Sequence, residues 1–212
     1  MSKKRIGILV SGRGSNMESI VKAVQRGMVS YDVAVCISDR ARAQAVVRAR
    51  DLGVSVQVVR KRDYARKDAF EDAMADVLDA HRVDLVVLAG FMRLLSPHFI
   101  RRFPNRIVNI HPSLLPSFPG LDAQAQAVRH GVRISGLTIH FVNEGLDSGP
   151  IIFQYPVPVL PGDSDEDLAN RILKYEHEFY PRVIDIIVAG AFHLNDRRVV
   201  LDLKIKGMFT SA

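Results

Sequence analysis

The chain has 212 residues, 48% of them hydrophobic and 25% charged, with a formal net charge of +6. Such a composition builds the buried core of one large globular domain and excludes a disordered or fibrous chain. No apolar run approaches the ~18 residues that span a membrane, and Met-Ser-Lys-Lys-Arg at the start lacks a signal peptide's apolar stretch.

The first strand is Arg5-Ile6-Gly7-Ile8-Leu9-Val10, apolar enough to be buried on both faces. Ser11-Gly12-Arg13-Gly14-Ser15-Asn16 is a tight turn, after which Met17, Ile20, Val21 and Val24 recur at helical spacing. Ser15 and Glu18 stand at capping-box spacing. A strand, a Gly-rich turn and a helix in that order present free N–H groups at a helix amino end, which suits a phosphate. Named phosphate motifs do not fit. Met17 stands where the dinucleotide fingerprint has its third glycine. Counted from Gly7, Arg13 and Gly14 stand where a P-loop needs lysine and a hydroxyl residue.

The alternation continues with a strand near Val33–Ser38, a helix over Ala43–Leu52 stopped by Gly53, and a strand over Val54–Val59. Cys36 sits in the apolar run Val33–Ile37, the place of an inert core thiol in a reducing cytoplasm. A helix over Arg66–His81 turns Ala69, Phe70, Ala73, Met74 and Val77 inward, and Leu85–Ala89 is a fourth strand. The turn Gly90–Leu95 leads to a short helix from Ser96, with Pro97 at its first position. Strands and helices alternating at these lengths predict right-handed crossovers and a parallel core sheet.

The fifth strand, Ile107-Val108-Asn109-Ile110-His111, must stop at Pro112, which has no N–H to give a ladder. Residues two apart on a strand share a face, so the Asn109 amide and the His111 imidazole stand side by side at its carboxyl end. Open α/β sheets carry their chemistry there. Three prolines keep Pro112–Gly120 a loop, and a helix follows over Ala123–His130. Ser135–Val142 and Ile151–Val157 are strands joined by a short Gly-rich loop, so they pair antiparallel and the sheet is mixed. A long helix starts after Ser164-Asp165-Glu166-Asp167 and runs toward Ala189, and His193–Leu203 reads as a short extension or edge hairpin. The fold class is therefore α/β, a mixed and mostly parallel sheet flanked by helices. It forms a single domain over 1–212, with a nucleotide- and phosphate-binding half near 1–105 and a catalytic half near 106–212.

Residues 1–67 carry 15 Lys/Arg against 5 Asp/Glu, whereas the remainder carries 14 against 18. A basic half of this kind attracts phosphates and carboxylates. Nucleic acid is not expected, because no zinc-finger spacing or aromatic-interleaved basic motif accompanies the charge. The seven histidines show no metal-ligand spacing such as H-E-x-x-H, so no metal is expected.

Together, Ser11–Asn16, Ala89-Gly90-Phe91-Met92-Arg93, Asn109–Pro116, Pro119-Gly120 and Leu146-Asp147-Ser148-Gly149-Pro150 resemble the glycinamide ribonucleotide formyltransferases over nearly the whole chain. The resemblance implies a Rossmann-like formyltransferase fold and formyl transfer from 10-formyltetrahydrofolate, a co-substrate, in purine biosynthesis. It assigns catalysis to Asn109, His111 and Asp147. It gives the ribonucleotide phosphate to Gly14, Ser15 and Asn16, and a contact with the glycinamide substrate to Glu176. The folate falls to Met92, Arg93, Leu94 and Leu95, to Asn109, to Asn143, Glu144, Gly145, Leu146 and Asp147, and to Lys67, where many relatives have Arg. His140 reads either as a neighbouring site residue or as a packed histidine. The implied enzyme is cytoplasmic, a monomer or homodimer, and acts on small molecules without membrane or nucleic acid.

Asn109 and a protonated His111 can both donate to the oxyanion formed when an amine attacks the formyl carbon. His111, or a water it holds with Asp147, can carry the proton. A formyltetrahydrofolate hydrolase, with water in place of the amine, is the alternative enzyme. Such enzymes usually carry an amino-terminal regulatory domain, and a strand beginning near residue 5 argues against one. A tRNA-formylating enzyme would need an additional carboxyl-terminal RNA-binding domain. A non-catalytic nucleotide-binding module would leave Asn109, His111 and Asp147 without a role.

Overall fold

The structure, a computed structural model, describes residues 3–201. Strand β1 (Arg5–Val10) leads into helix α1 (Ser15–Gln25), β2 (Asp32–Ser38), α2 (Gln44–Asp51) and β3 (Val56–Val58). A 3-10 turn over Lys61–Asp63 precedes α3 (Lys67–Ala80), β4 (Leu85–Leu88), α4 (Pro97–Arg102) and β5 (Ile107–His111). Then come α5 (Ala123–His130), β6 (Ile134–Phe141), β7 (Ile151–Pro158), α6 (Asp165–Val188), β8 (Phe192–Asn195) and β9 (Arg198–Leu201).

All strands join one sheet in the order β3-β2-β1-β4-β5-β6-β7-β9-β8. From β3 to β5 the pairings are parallel; β6–β7 is antiparallel, as predicted for two strands joined by a short loop, and β5–β6 is antiparallel as well. The tail is an edge hairpin of β8 and β9, docked on β7 through Ile151 and Arg198; the expected end at Leu203 lies outside the described residues.

Alternate strand residues feed two cores, one on each face of the sheet. Ile6, Ile8, Val10, Leu85 and Val87 pack against α1, α2 and α6. Leu9, Val86, Leu88 and Ile107 meet Phe70 and Met74 of α3 and Phe99 and Phe103 around α4. Tyr180 of α6 crosses the first core and donates its hydroxyl to the Leu88 carbonyl at 2.9 Å. Cys36 is fully buried, and burial pushes its thiol up to about 12.

Four local expectations change. Helix α1 is capped by Gly14, not by a Ser15–Glu18 box; Glu18 turns outward to pair with Lys22 and Arg48. Strand β3 is shorter than Val54–Val59, because the Val54 N–H closes the end of α2 on the Ala49 carbonyl. On α3, Ala69 is exposed and Glu71 is buried, its carboxylate taking the Ser96 N–H at 2.9 Å and the Ser96 hydroxyl. Helix α6 starts at Asp165, with Ser164 and Asp167 forming the capping box, so the three acids lie in its positive first turn.

Candidate active site

Strand order reverses between β1 and β4, whose neighbours build outward in opposite directions. Open sheets leave a crevice at such a switch point, beyond the carboxyl ends of the strands. A cavity of about 250 Å³ opens there, lined by Gly12–Asn16 after β1, Gly90 and Met92 after β4, Ile110 and Pro112 around the end of β5, and Glu176 of α6. The Ser11 N–H donates to the Gly90 carbonyl at 3.0 Å, and the Met92 N–H to the Ser11 hydroxyl at 2.9 Å, so the two turns form one wall.

Helix α1 enters this cavity with no side-chain cap, which leaves its first N–H groups available to an anion. Gly14 has φ +77, and a Cβ on it would lie 2.5 Å from the Ala45 Cβ. Glycine is therefore required there for the turn and for packing on α2, as well as for access to the cavity. The Asn16 amide donates to Glu176 at 2.8 Å, while its buried carbonyl oxygen has no partner. Burial raises the Glu176 carboxyl above the usual range, against the Asn16 hydrogen bond and the nearby Arg13 charge. One turn thus brings Gly14, Ser15, Asn16 and the distant Glu176 together.

Beside that cavity the strand ends carry a chain of polar groups. The Asp147 carboxylate lies 3.4 Å from His111 Nδ1 and 3.8 Å from His140 Nε2. His140 Nε2 lies 3.3 Å from the Asn109 amide nitrogen. His140 Nδ1 lies 2.8 Å from the Phe141 carbonyl, which can only accept, so Nδ1 carries the hydrogen. Burial lowers the His140 pKa, leaving Nε2 an unprotonated acceptor for Asn109. The neutral ring thereby fixes which way the Asn109 amide faces.

His111 is in the opposite position. Its Nε2 lies 2.8 Å from the Phe118 carbonyl and its Nδ1 lies 3.4 Å from a carboxylate, so an oxygen acceptor stands at each nitrogen. Asp147 sits at φ +45 in the β6–β7 loop and accepts the Gly120 N–H at 2.8 Å. That bond ties it to the proline-rich loop that carries Phe118.

The other predicted residues flank these groups. Met92 and Leu94 are exposed, while Leu95 is half-buried against the α3–α4 core. Arg93 pairs with buried Asp39 at 2.5 Å and lies over the Phe70 ring. Asn143 accepts from the Gly145 N–H at 3.2 Å and the Ser148 hydroxyl at 2.9 Å, which shapes the loop; Leu146 is exposed and Glu144 pairs with Arg101. Lys67 faces Glu71 at 3.6 Å and makes no ion pair with the other predicted site residues. Among the described residues, no group of three or more His, Cys, Asp or Glu side chains is placed to hold a metal. No helix among them is long and apolar enough to cross a membrane.

Residues 4–184 match the formyl transferase family. The chain belongs to that family. A phosphoribosylglycinamide formyltransferase from Haemophilus influenzae is 39% identical over 201 residues, covering 95% of each chain. A trifunctional purine biosynthetic protein from Drosophila melanogaster is 42% identical over 190 residues; these cover 89% of this chain but 14% of that protein. Among solved structures, glycinamide ribonucleotide transformylase 1 from Symbiobacterium toebii superposes with a TM-score of 0.92 at 49% identity, over 94% of both chains. A formyltetrahydrofolate deformylase from Pseudomonas syringae reaches 0.87 at 27% identity, over 95% of this chain and 66% of its own. A transformylase and a deformylase thus share this fold.

Proposed function

We propose that this chain transfers the formyl group of 10-formyltetrahydrofolate to the amine of glycinamide ribonucleotide, releasing tetrahydrofolate. The observation that carries this reading is an uncapped helix end in a cavity, beside a strand end bearing Asn109, His111 and Asp147. The first suits the phosphate of an amine substrate; the second suits an acyl-transfer oxyanion. On this reading residues 1–105 supply the phosphate site at Gly14–Asn16. Residues 106–212 supply the catalytic groups, and Glu176 reaches across to the glycinamide. The folate lies against Met92–Leu95 and the Asn143–Asp147 loop.

The amine attacks the formyl carbon directly and the carbonyl oxygen becomes an oxyanion. Asn109 offers it the amide hydrogen not directed to His140. His111 donates by exchanging the Phe118 carbonyl for the oxyanion, while Asp147 stabilises its positive charge. The attacking nitrogen loses a proton to the same ring, or to a water it holds with Asp147, as that ring passes one to the folate nitrogen and the C–N bond breaks. Loss of one such oxyanion donor costs on the order of 10²–10³ in rate.

The deciding experiment incubates the protein with 10-formyltetrahydrofolate, with and without glycinamide ribonucleotide. Loss of the formyl group only when the amine is present supports the transferase. Loss without it makes the protein a hydrolase, and no loss in either case leaves a binding module. The proposal includes a cytoplasmic enzyme of small molecules, working as a monomer or homodimer.

A further inference from the structure

The segment Met92–Leu95 has no regular secondary structure, yet both of its ends are pinned. At one end the Met92 N–H donates to the Ser11 hydroxyl. At the other, the N–H and the hydroxyl of Ser96 both donate to the Glu71 carboxylate. Between these anchors the N–H groups of Arg93, Leu94 and Leu95 find no acceptor among the described residues, and the Met92 and Leu94 side chains are exposed. Such a segment recognises a ligand well only if its course is held beforehand.

Glu71 is 1% exposed, on the face of α3 that carries Phe70 and Met74. Desolvating a carboxylate is costly, and apolar residues commonly pack such positions as well or better. Packing α3 against α4 therefore does not call for a charge. Lys67, one turn earlier, lies 3.6 Å from the carboxylate at the solvent edge and balances it. The two carboxylate oxygens take different donors of one residue, which fixes the Ser96 peptide and its hydroxyl together. That hydroxyl in turn accepts the Phe99 N–H at 3.3 Å and caps α4. Glu71 does not line the crevice, so its influence passes through Ser96.

We propose that Glu71 is a positioning residue for the folate: through Ser96 it holds the Met92–Leu95 wall in its binding form before the ligand arrives. The proposal rests on the formyl-transfer reading above and its placement of the folate.

The test measures both KM values, kcat and the Kd of tetrahydrofolate by titration calorimetry in Glu71→Leu and Glu71→Gln, with thermal midpoints to show folding. Leucine fills the space without a hydrogen bond. Glutamine keeps the shape, its oxygen accepting the Ser96 N–H and its NH₂ donating to the Ser96 hydroxyl oxygen. Ordering one wall residue on binding costs about tenfold in affinity. Glu71→Leu should therefore raise the 10-formyltetrahydrofolate KM and the tetrahydrofolate Kd by about that factor, with far smaller changes in the ribonucleotide KM and in kcat. Glu71→Gln should recover most of the loss. Wild-type folate binding in folded Glu71→Leu overturns the proposal, as does an equal loss of affinity for both substrates. Should Glu71→Leu not fold, Ser96→Ala decides. It keeps the N–H bond and loses the hydroxyl, so the folate KM should rise severalfold, and an unchanged value overturns the proposal. Leu94→Asp checks the placement separately. An unchanged tetrahydrofolate Kd in that variant takes the folate off this wall and the proposal falls with it. Absence of amine-dependent transfer in the wild type would instead overturn the formyl-transfer reading, and tetrahydrofolate binding would still decide the role of Glu71.

Discussion

Asp147→Asn removes one charge and almost no volume. The native carboxylate is largely buried, 13% exposed, and lies 3.4 Å from the His111 ring. Two unit charges at that distance attract by about 5 kcal/mol at an effective dielectric near 20. Part of that offsets the cost of burying both ions, so about 3 kcal/mol is a reasonable share for the transition state. The new amide can still accept the Gly120 N–H, and its NH₂ can donate to His111 Nδ1. The ring then stays neutral, with its one hydrogen on the nitrogen facing Phe118. The variant should keep its shape and lose roughly 10²-fold in kcat. His111→Asn should lose a similar factor. Residues that act as one charge pair are not additive, so the double variant should lose about 10²–10³ rather than 10⁴. The assay is a double-mutant cycle on kcat with both substrates saturating, thermal midpoints showing that each variant folds. The ribonucleotide KM should move far less than kcat, since the phosphate site lies elsewhere. Losses that multiply fully would refute the coupling of Asp147 to His111.

Four further outcomes follow from the geometry. Gly12→Val should fold, because a Cβ there meets nothing within 4 Å, and should raise the ribonucleotide KM about tenfold or more while sparing that of the folate. Gly14→Val should instead lower stability by about 3 kcal/mol in urea melts, since its φ of +77 and the Ala45 Cβ at 2.5 Å both oppose a side chain. Burial depresses the His140 pKa below the usual 6.5, so the unfolded chain takes up protons first as pH falls. Stability should therefore be complete above about pH 6.5 and decline below it. His140→Gln should flatten part of that slope, leaving the share from His177, which burial lowers in the same way; identical slopes would count against a buried neutral His140. Ser164→Ala removes the cap of α6 and should cost about 0.5–2 kcal/mol in the same melts.

The fold was legible where apolar period and chain breakers agreed. Pro112 stops β5 at His111, Ser96 and Pro97 start α4, and Gly53 ends α2 with φ +75. Each signal is local, so the chain carries it without reference to tertiary structure. It failed where an interaction from another element decided the matter. The spacing of Ser15 and Glu18 describes a capping box, but α2 packs so closely on Gly14 that the cap falls to the glycine, and Glu18 finds Arg48. The inward face of α3 lies one step from the predicted one because Glu71 counts as polar by composition. The Ser96 N–H and hydroxyl, 25 residues away, make its burial tolerable.

The candidate site divides along the same line. Asn109 and His111 were readable from strand alternation alone, whereas the remaining groups required contacts between distant segments. The sequence leaves His140 open between site and core, and the structure buries it beside the Asn109 amide. It is 2% exposed, and its ring supplies the acceptor for the Asn109 amide. The backbone register was the missing information: β5 and β6 pair antiparallel with Asn109 opposite His140. A strand pattern specifies which residues share a face, but the register decides which of them meet across the ladder. Once that register is known, the partners of both histidine rings follow. Phe141 fixes the hydrogen of His140 on Nδ1, and burial keeps Nε2 bare, so the amide is oriented by a neutral ring. Phe118 and Asp147 place an oxygen at each nitrogen of His111, so both edges of the neighbouring ring face acceptors. Two imidazoles on adjacent strands therefore sit in different surroundings, one beside the Asn109 amide and the other beside the Asp147 carboxylate. The difference comes from which backbone carbonyl each ring meets rather than from residue type.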